Sequence, residues 1–162
     1  MFRKILVPLD GSALAASILS QVEDLARSEK SEIMLLMVGH ATGMFAMAEG
    51  FSWNTQLIES TVAELRSNAE RYLAETAEKL EGKGLKVSRV YREGVPAREI
   101  IRCAEEARCD LIAMATHGRG EIAWVLGSVA EQVVSHATVP VLVMRVLKAQ
   151  PLLEKQEVLA GP

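Results

Sequence analysis

The sequence predicts an α/β fold, an open five-stranded parallel sheet with helices on both faces. Three observations carry this. Five short runs rich in Val, Ile, Leu and Met alternate with four longer runs of helical periodicity. Most of the short runs are apolar on both parities, as strands covered on two faces are. The stretches after the first and fourth runs are built to turn and to bind, and ligands of such sheets sit beyond the carboxyl ends of the strands, where the strand order reverses. The order 3-2-1-4-5 makes those two stretches neighbours.

Residues 5–7 read as a buried strand, closed by Pro8-Leu9-Asp10-Gly11-Ser12. A helix is expected over 13–30, with Leu14, Ile18, Val22, Leu25 and Ala26 at helical spacing and Ser12 as its N-cap. Residues 33–38 are a second buried strand. The pattern breaks over 39–53, where Met44, Phe45, Met47, Phe51 and Trp53 crowd together. A long amphipathic helix over 54–82 follows, stopped by Gly82 and Gly84. Residues 85–91 alternate in polarity, which suits a sheet edge. Pro96 opens a helix at a favoured early position, and this helix is read as far as Cys109. Residues 111–115 form the fourth strand, 127–136 a helix and 139–144 the last strand. Residues 1–146 read as one domain and 147–162 as a loosely held tail.

Composition narrows the function classes. The chain has 162 residues, 49% of them hydrophobic, enough to bury a core without metal or disulfide staples. With 18 basic against 21 acidic residues the net charge is −3, which offers no footprint for nucleic acid. No apolar run approaches the ~20 residues that span a bilayer, and the first apolar run is too short for a secretory signal. Cys103 and Cys109 lie six apart in the expected helix, so they point away from each other and suit a reducing cytosol. A cytoplasmic protein is expected. His40, His117 and His136 lack metal-ligand spacing, and neither Ser12 nor Ser128 has the setting of a catalytic nucleophile.

The chemistry concentrates in two loops. Thr116-His117-Gly118-Arg119-Gly120 is followed, seven residues on, by Gly127-Ser128 at a helix start. Glycines let the backbone approach a phosphate, and a helix N-terminus presents free N–H groups to an anion. Arg119 adds a charge and Ser128 a hydroxyl. The same residues also read as a strand-to-helix loop whose glycines only make turns. A Walker A motif is absent, as is G-x-G-x-x-G after the first strand.

The segments 114–120, 126–131 and 136–143, with 4–12 at the start and Gly94-Val95-Pro96 before the third helix, resemble the universal stress protein family. The resemblance covers roughly residues 2–146. It implies a Rossmann-like, adenine nucleotide alpha hydrolase-like domain that is usually dimeric, and whose ATP-binding members carry G-x2-G-x9-G-[ST]. Here Ala115 stands at the first glycine, Gly118 at the second, and Gly127 and Ser128 at the closing pair. Eight residues separate Gly118 from Gly127 where the pattern has nine.

By that resemblance Pro8 and Leu9 flank a nucleotide, Asp10 holds Mg²⁺ bridging its phosphates, and Val38 and Met114 meet the adenine. Ala115, His117, Gly118, Arg119, Gly120, Gly127, Ser128 and Val129 surround the phosphates. Asp10 reads equally as a turn or cap, and Val38 and Met114 as core. The function implied is a stress-response switch or sensor that binds ATP with Mg²⁺ and hydrolyses it slowly at most. The alternative is a member that binds no nucleotide and acts as a dimeric interaction module. A flavodoxin-like electron carrier is a third reading, but no aromatic residue follows the first or fourth strand to stack on a flavin. Residues 44–53 read as a lid, a partner surface or a cap on the core. The last strand is an apolar edge, so a homodimer through 139–146 is expected.

Overall fold

Lys4–Leu9 forms the central strand, β1, and its alternate residues feed two separate apolar layers. Ile5, Val7 and Leu9 face one side of the sheet and Leu6 the other, all four buried. The computed structural model describes residues 1–39, 55–117 and 126–146. The other strands are β2 (Glu32–Gly39), β3 (Lys86–Glu93), β4 (Leu111–His117) and β5 (Val141–Val146). They form one parallel sheet in the order β3-β2-β1-β4-β5, as expected.

The helices are α1 (Ala13–Ala16), α2 (Leu19–Glu29), α3 (Thr55–Glu81), α4 (Pro96–Glu106) and α5 (Ser128–His136). Ile18, Val22 and Ala26 from the first pair, with Leu73, Ala77 and Leu80 from α3, pack on the Ile5–Val7–Leu9 face. On the Leu6 face lie Ile100, Cys103 and Ala104 of α4 and Ala130 and Val133 of α5. Strands covered in this way cannot alternate in polarity, which is why their sequences are continuous apolar runs.

Three expectations need correction. The helix expected over 13–30 is broken at Ser17 and Ile18. Ser17 turns both its N–H and its hydroxyl to the Leu14 carbonyl, tightening the turn. The helix from Pro96 stops at Glu106, not Cys109. Arg108 takes a left-handed φ of 52°, and the Cys109 N–H closes back on the Ala104 carbonyl at 2.8 Å. Both cysteines therefore lie in the same apolar layer rather than on opposed faces of one helix. The last strand begins at Val141, not 139, because Pro140 has no N–H for the ladder.

The amino ends of the strands are fastened by side chains. The Asp110 carboxylate accepts the N–H groups of Arg3 at 2.6 Å and Lys4 at 3.0 Å, and the Asp110 N–H returns to the Lys4 carbonyl at 2.8 Å. The Ser31 hydroxyl donates to the Phe2 carbonyl, and Glu32 takes both Lys4 (3.2 Å) and the Ser88 hydroxyl (2.7 Å). Residues 40–54, 118–125 and 147–162, with His40, the 44–53 cluster and the expected tail, lie outside the described residues. Among the described residues no helix is long and apolar enough to cross a membrane.

Candidate functional site

β1 and β4 are in register at Ile5–Leu111 and Leu6–Ile112, at their amino ends. Beyond this pair, where the strand order reverses, a cavity of about 350 Å³ opens among the carboxyl ends of β1, β2 and β4 and the first turns of α1, α4 and α5. This is the crevice that the topology of an open parallel sheet provides.

The end of β1 supplies Pro8, Leu9 and Asp10. Asp10 is exposed, and one of its oxygens accepts the Ser12 N–H at 2.9 Å. Ser12 in turn caps α1, its hydroxyl accepting the Ala15 N–H at 3.1 Å. The turn reading of Asp10 thus holds for one oxygen. The same carboxylate is felt on α3, where burial first, and the Asp10 charge after it, push the Tyr72 phenol above its ordinary value. Val38 stands one residue past Met37, the last β2 residue in register with β1, and lines the cavity.

β4 and α5 supply Met114, Ala115, Gly127, Ser128 and Val129. The first intrahelical bond of α5 runs from the Glu131 N–H to the Gly127 carbonyl at 2.9 Å. The N–H groups of residues 128–130 therefore have no acceptor inside the helix, and these residues line the cavity. His117 ends β4, while Gly118, Arg119 and Gly120 lie outside the described residues. Within the described lining Asp10 is the sole charged group.

The sequence reading missed the apolar wall made by Leu36, Pro96 and Ile100. Leu36 lies on the face of Val38, as a period of two requires, but its sequence setting is that of any core residue. Pro96 and Ile100 are held by the glycine before them. Gly94 has φ of +148°, and a Cβ there would stand 2.9 Å from Glu99 Cγ. Glu99 is buried and anchored by Arg92 at 3.6 Å and Arg102 at 3.3 Å, which fixes the first turn of α4. Thr116, Leu14, Ala15 and Ala130 complete the lining.

A second described hollow lies among Arg66, Glu70, Leu73, Arg89, Val90 and Tyr91, where Arg66 pairs with Glu70 at 2.9 Å and lies over the Tyr91 ring. Among the described residues no group of three acidic, His or Cys side chains is placed to hold a metal. His136 uses Nδ1 on the Gln132 carbonyl at 2.9 Å. Both cysteines are buried, and burial pushes their thiols up, Cys109 to about 11. They are poor nucleophiles at neutral pH.

The sequence profile of the universal stress protein family matches residues 1–145. A universal stress protein of Methanocaldococcus jannaschii is 32% identical, over 90% of this chain and 83% of its own length. The solved structure of the hypothetical protein MJ0577 of the same organism is 28% identical and superposes with a TM-score of 0.77, covering 92% of this chain and 99% of that one. A universal stress protein family structure from Arabidopsis thaliana with AMP bound is 17% identical, with a TM-score of 0.64 over 88% of this chain and 91% of its own.

Proposed function

This chain belongs to the universal stress protein family, and from that premise we propose that it binds ATP with Mg²⁺ in the cavity at the carboxyl end of the sheet and works as a dimeric switch or sensor. The observation that carries this is convergence. Residues read from two loops more than a hundred positions apart, Asp10 and Ser128 among them, line one cavity.

The cavity has a division of labour suited to a nucleotide. Val38, Met114, Pro96 and Ile100 make an apolar wall for a flat base. The amino end of α5 presents N–H groups without acceptors inside the helix, and the positive end of its dipole, to phosphates. Asp10, exposed and with one oxygen engaged, offers the other to a hydrated Mg²⁺, a hard cation that keeps several waters. Such a metal supplies charge neutralisation between phosphate and carboxylate. In this reading Asp10, the titratable group of the described lining, serves the metal rather than a water, and we expect turnover to be slow at most. The AMP-bound Arabidopsis protein is a case of this fold holding an adenine nucleotide.

A second copy suits β5. Leu142 on this edge strand is 39% exposed, and Val134 on α5 is 45% exposed. Pairing of the 139–146 edges across a two-fold axis covers both apolar exposure and unpaired backbone. Light scattering of the native chain then gives twice the chain mass.

Two features favour the other reading, a dimeric interaction module without nucleotide. The lining has a methyl group at Ala115, and its described charge is negative. Calorimetry with ATP, with and without Mg²⁺, separates the two. Saturable, Mg²⁺-dependent heat is the expected result. Absence of binding at about 1 mM, a standard free energy weaker than roughly −4 kcal/mol, hands the cavity to the interaction-module reading.

A further inference from the structure

We propose that Thr116 is the positioning residue for the phosphate-facing end of the cavity, holding the first turn of α5 against the end of β4; the role rests on the nucleotide reading above. Thr116 is 3% exposed, the penultimate residue of β4, and paired across the sheet with Arg145 of β5. Its Oγ1 accepts the Gly127 N–H at 3.0 Å. Gly127 is the N-cap of α5 and has no side chain to cap the helix itself. The bond therefore ties the start of the helix directly to the rigid sheet, bypassing the eleven-residue separation in sequence.

The identity of residue 127 supports this. Its φ of −63° is open to any residue, so backbone conformation does not call for glycine. Close approach favours it, because a Cβ at 127 would stand 3.2 Å from Thr116 Oγ1, tight enough that the threonine must give by a few tenths of an ångström. Glycine here lets the helix seat on the threonine. That seat decides where the N–H groups of 128–130, which have no acceptor inside the helix, sit relative to β4, and with them any phosphate they hold.

The test compares the native chain, Thr116→Val, Thr116→Ser and Gly127→Ala by calorimetry with Mg²⁺-ATP and with adenosine. Amide exchange at residue 127 is followed in parallel. Thr116→Val keeps the shape and removes the acceptor. Its ATP affinity is expected to fall about tenfold, with adenosine held within about twofold and the Gly127 amide exchanging faster. Thr116→Ser restores ATP binding, and Gly127→Ala reproduces the selective loss, which covers the case in which Thr116→Val does not fold. Equal losses for ATP and adenosine, or native ATP binding by Thr116→Val, overturn the positioning role while leaving nucleotide binding intact. A native chain that binds neither ligand overturns both.

Discussion

The two ends of the sheet are built from similar residue types to opposite purposes. At the amino end, Asp110 spends its carboxylate on the Arg3 and Lys4 amides, and Glu32 is shared between Lys4 and Ser88. At the carboxyl end, Asp10 turns one oxygen onto a neighbour two residues away and stands exposed at the mouth of a cavity. The first aspartate joins segments 107 residues apart, whereas the second organises only its own turn. Carboxylates close the fold at the amino end, and Glu99 does so at the other end through Arg92 and Arg102, while Asp10 alone among the charged groups of the described lining stands exposed beside the cavity.

Removing Asp110 gives the largest expected effect. Asp110→Ala strands two backbone donors and removes charge-assisted bonds, a loss of about 2 kcal/mol in urea unfolding. Affinity for Mg²⁺-ATP should be unchanged, since nothing at the cavity rests on Asp110. If binding falls in proportion to stability, the separation between the two ends is wrong.

The mirror-image substitution, Asp10→Asn, keeps an oxygen for the Ser12 N–H and removes the charge. Expected is a roughly tenfold weaker, Mg²⁺-independent interaction with ATP and a stability within about 0.5 kcal/mol of native, as is usual at exposed positions. A large drop in unfolding midpoint would assign Asp10 to the fold.

How much of this was legible depends on the range of the signal. The strands followed from local patterns, since strands buried on two faces must read as apolar runs; the order 3-2-1-4-5 entered as the arrangement that makes the loops after the first and fourth strands neighbours, and the sheet has that order. The break at Ser17 and Ile18 left no trace, because both residues keep right-handed helical angles and the 3.6-residue period runs through them. The end of α4 was misread because its left-handed residue is Arg108, where a glycine would have given the stop away. Leu36 and Ile100 look like any core residues, and only their position beside a strand end makes them lining. Nothing local announces that Asp110 reaches Arg3, or that Thr116 seats Gly127. The site residues that were found came from motifs, and those that were missed came from packing.

Acid titration gives the smallest effect and the sharpest test of the closed end. The Arg3 and Lys4 amides hold the Asp110 carboxyl below its ordinary value, and the Ser88 hydroxyl, with Lys4 after it, does the same for Glu32. A carboxyl whose folded value is depressed stabilises the fold fully above its unfolded value, near pH 4, and loses that contribution as pH falls through the folded value. The native chain should therefore lose urea stability as pH drops from about 5 towards 3. Asp110→Asn keeps one acceptor and cannot ionise, so its disadvantage should be widest at neutral pH and narrow on acidification. Because Asn keeps an oxygen for the Arg3 and Lys4 amides where Ala has none, the gap at neutral pH should be smaller than that of Asp110→Ala. A gap that stays constant from neutral to acid would mean that geometry, and not the charge of Asp110, fastens the strands.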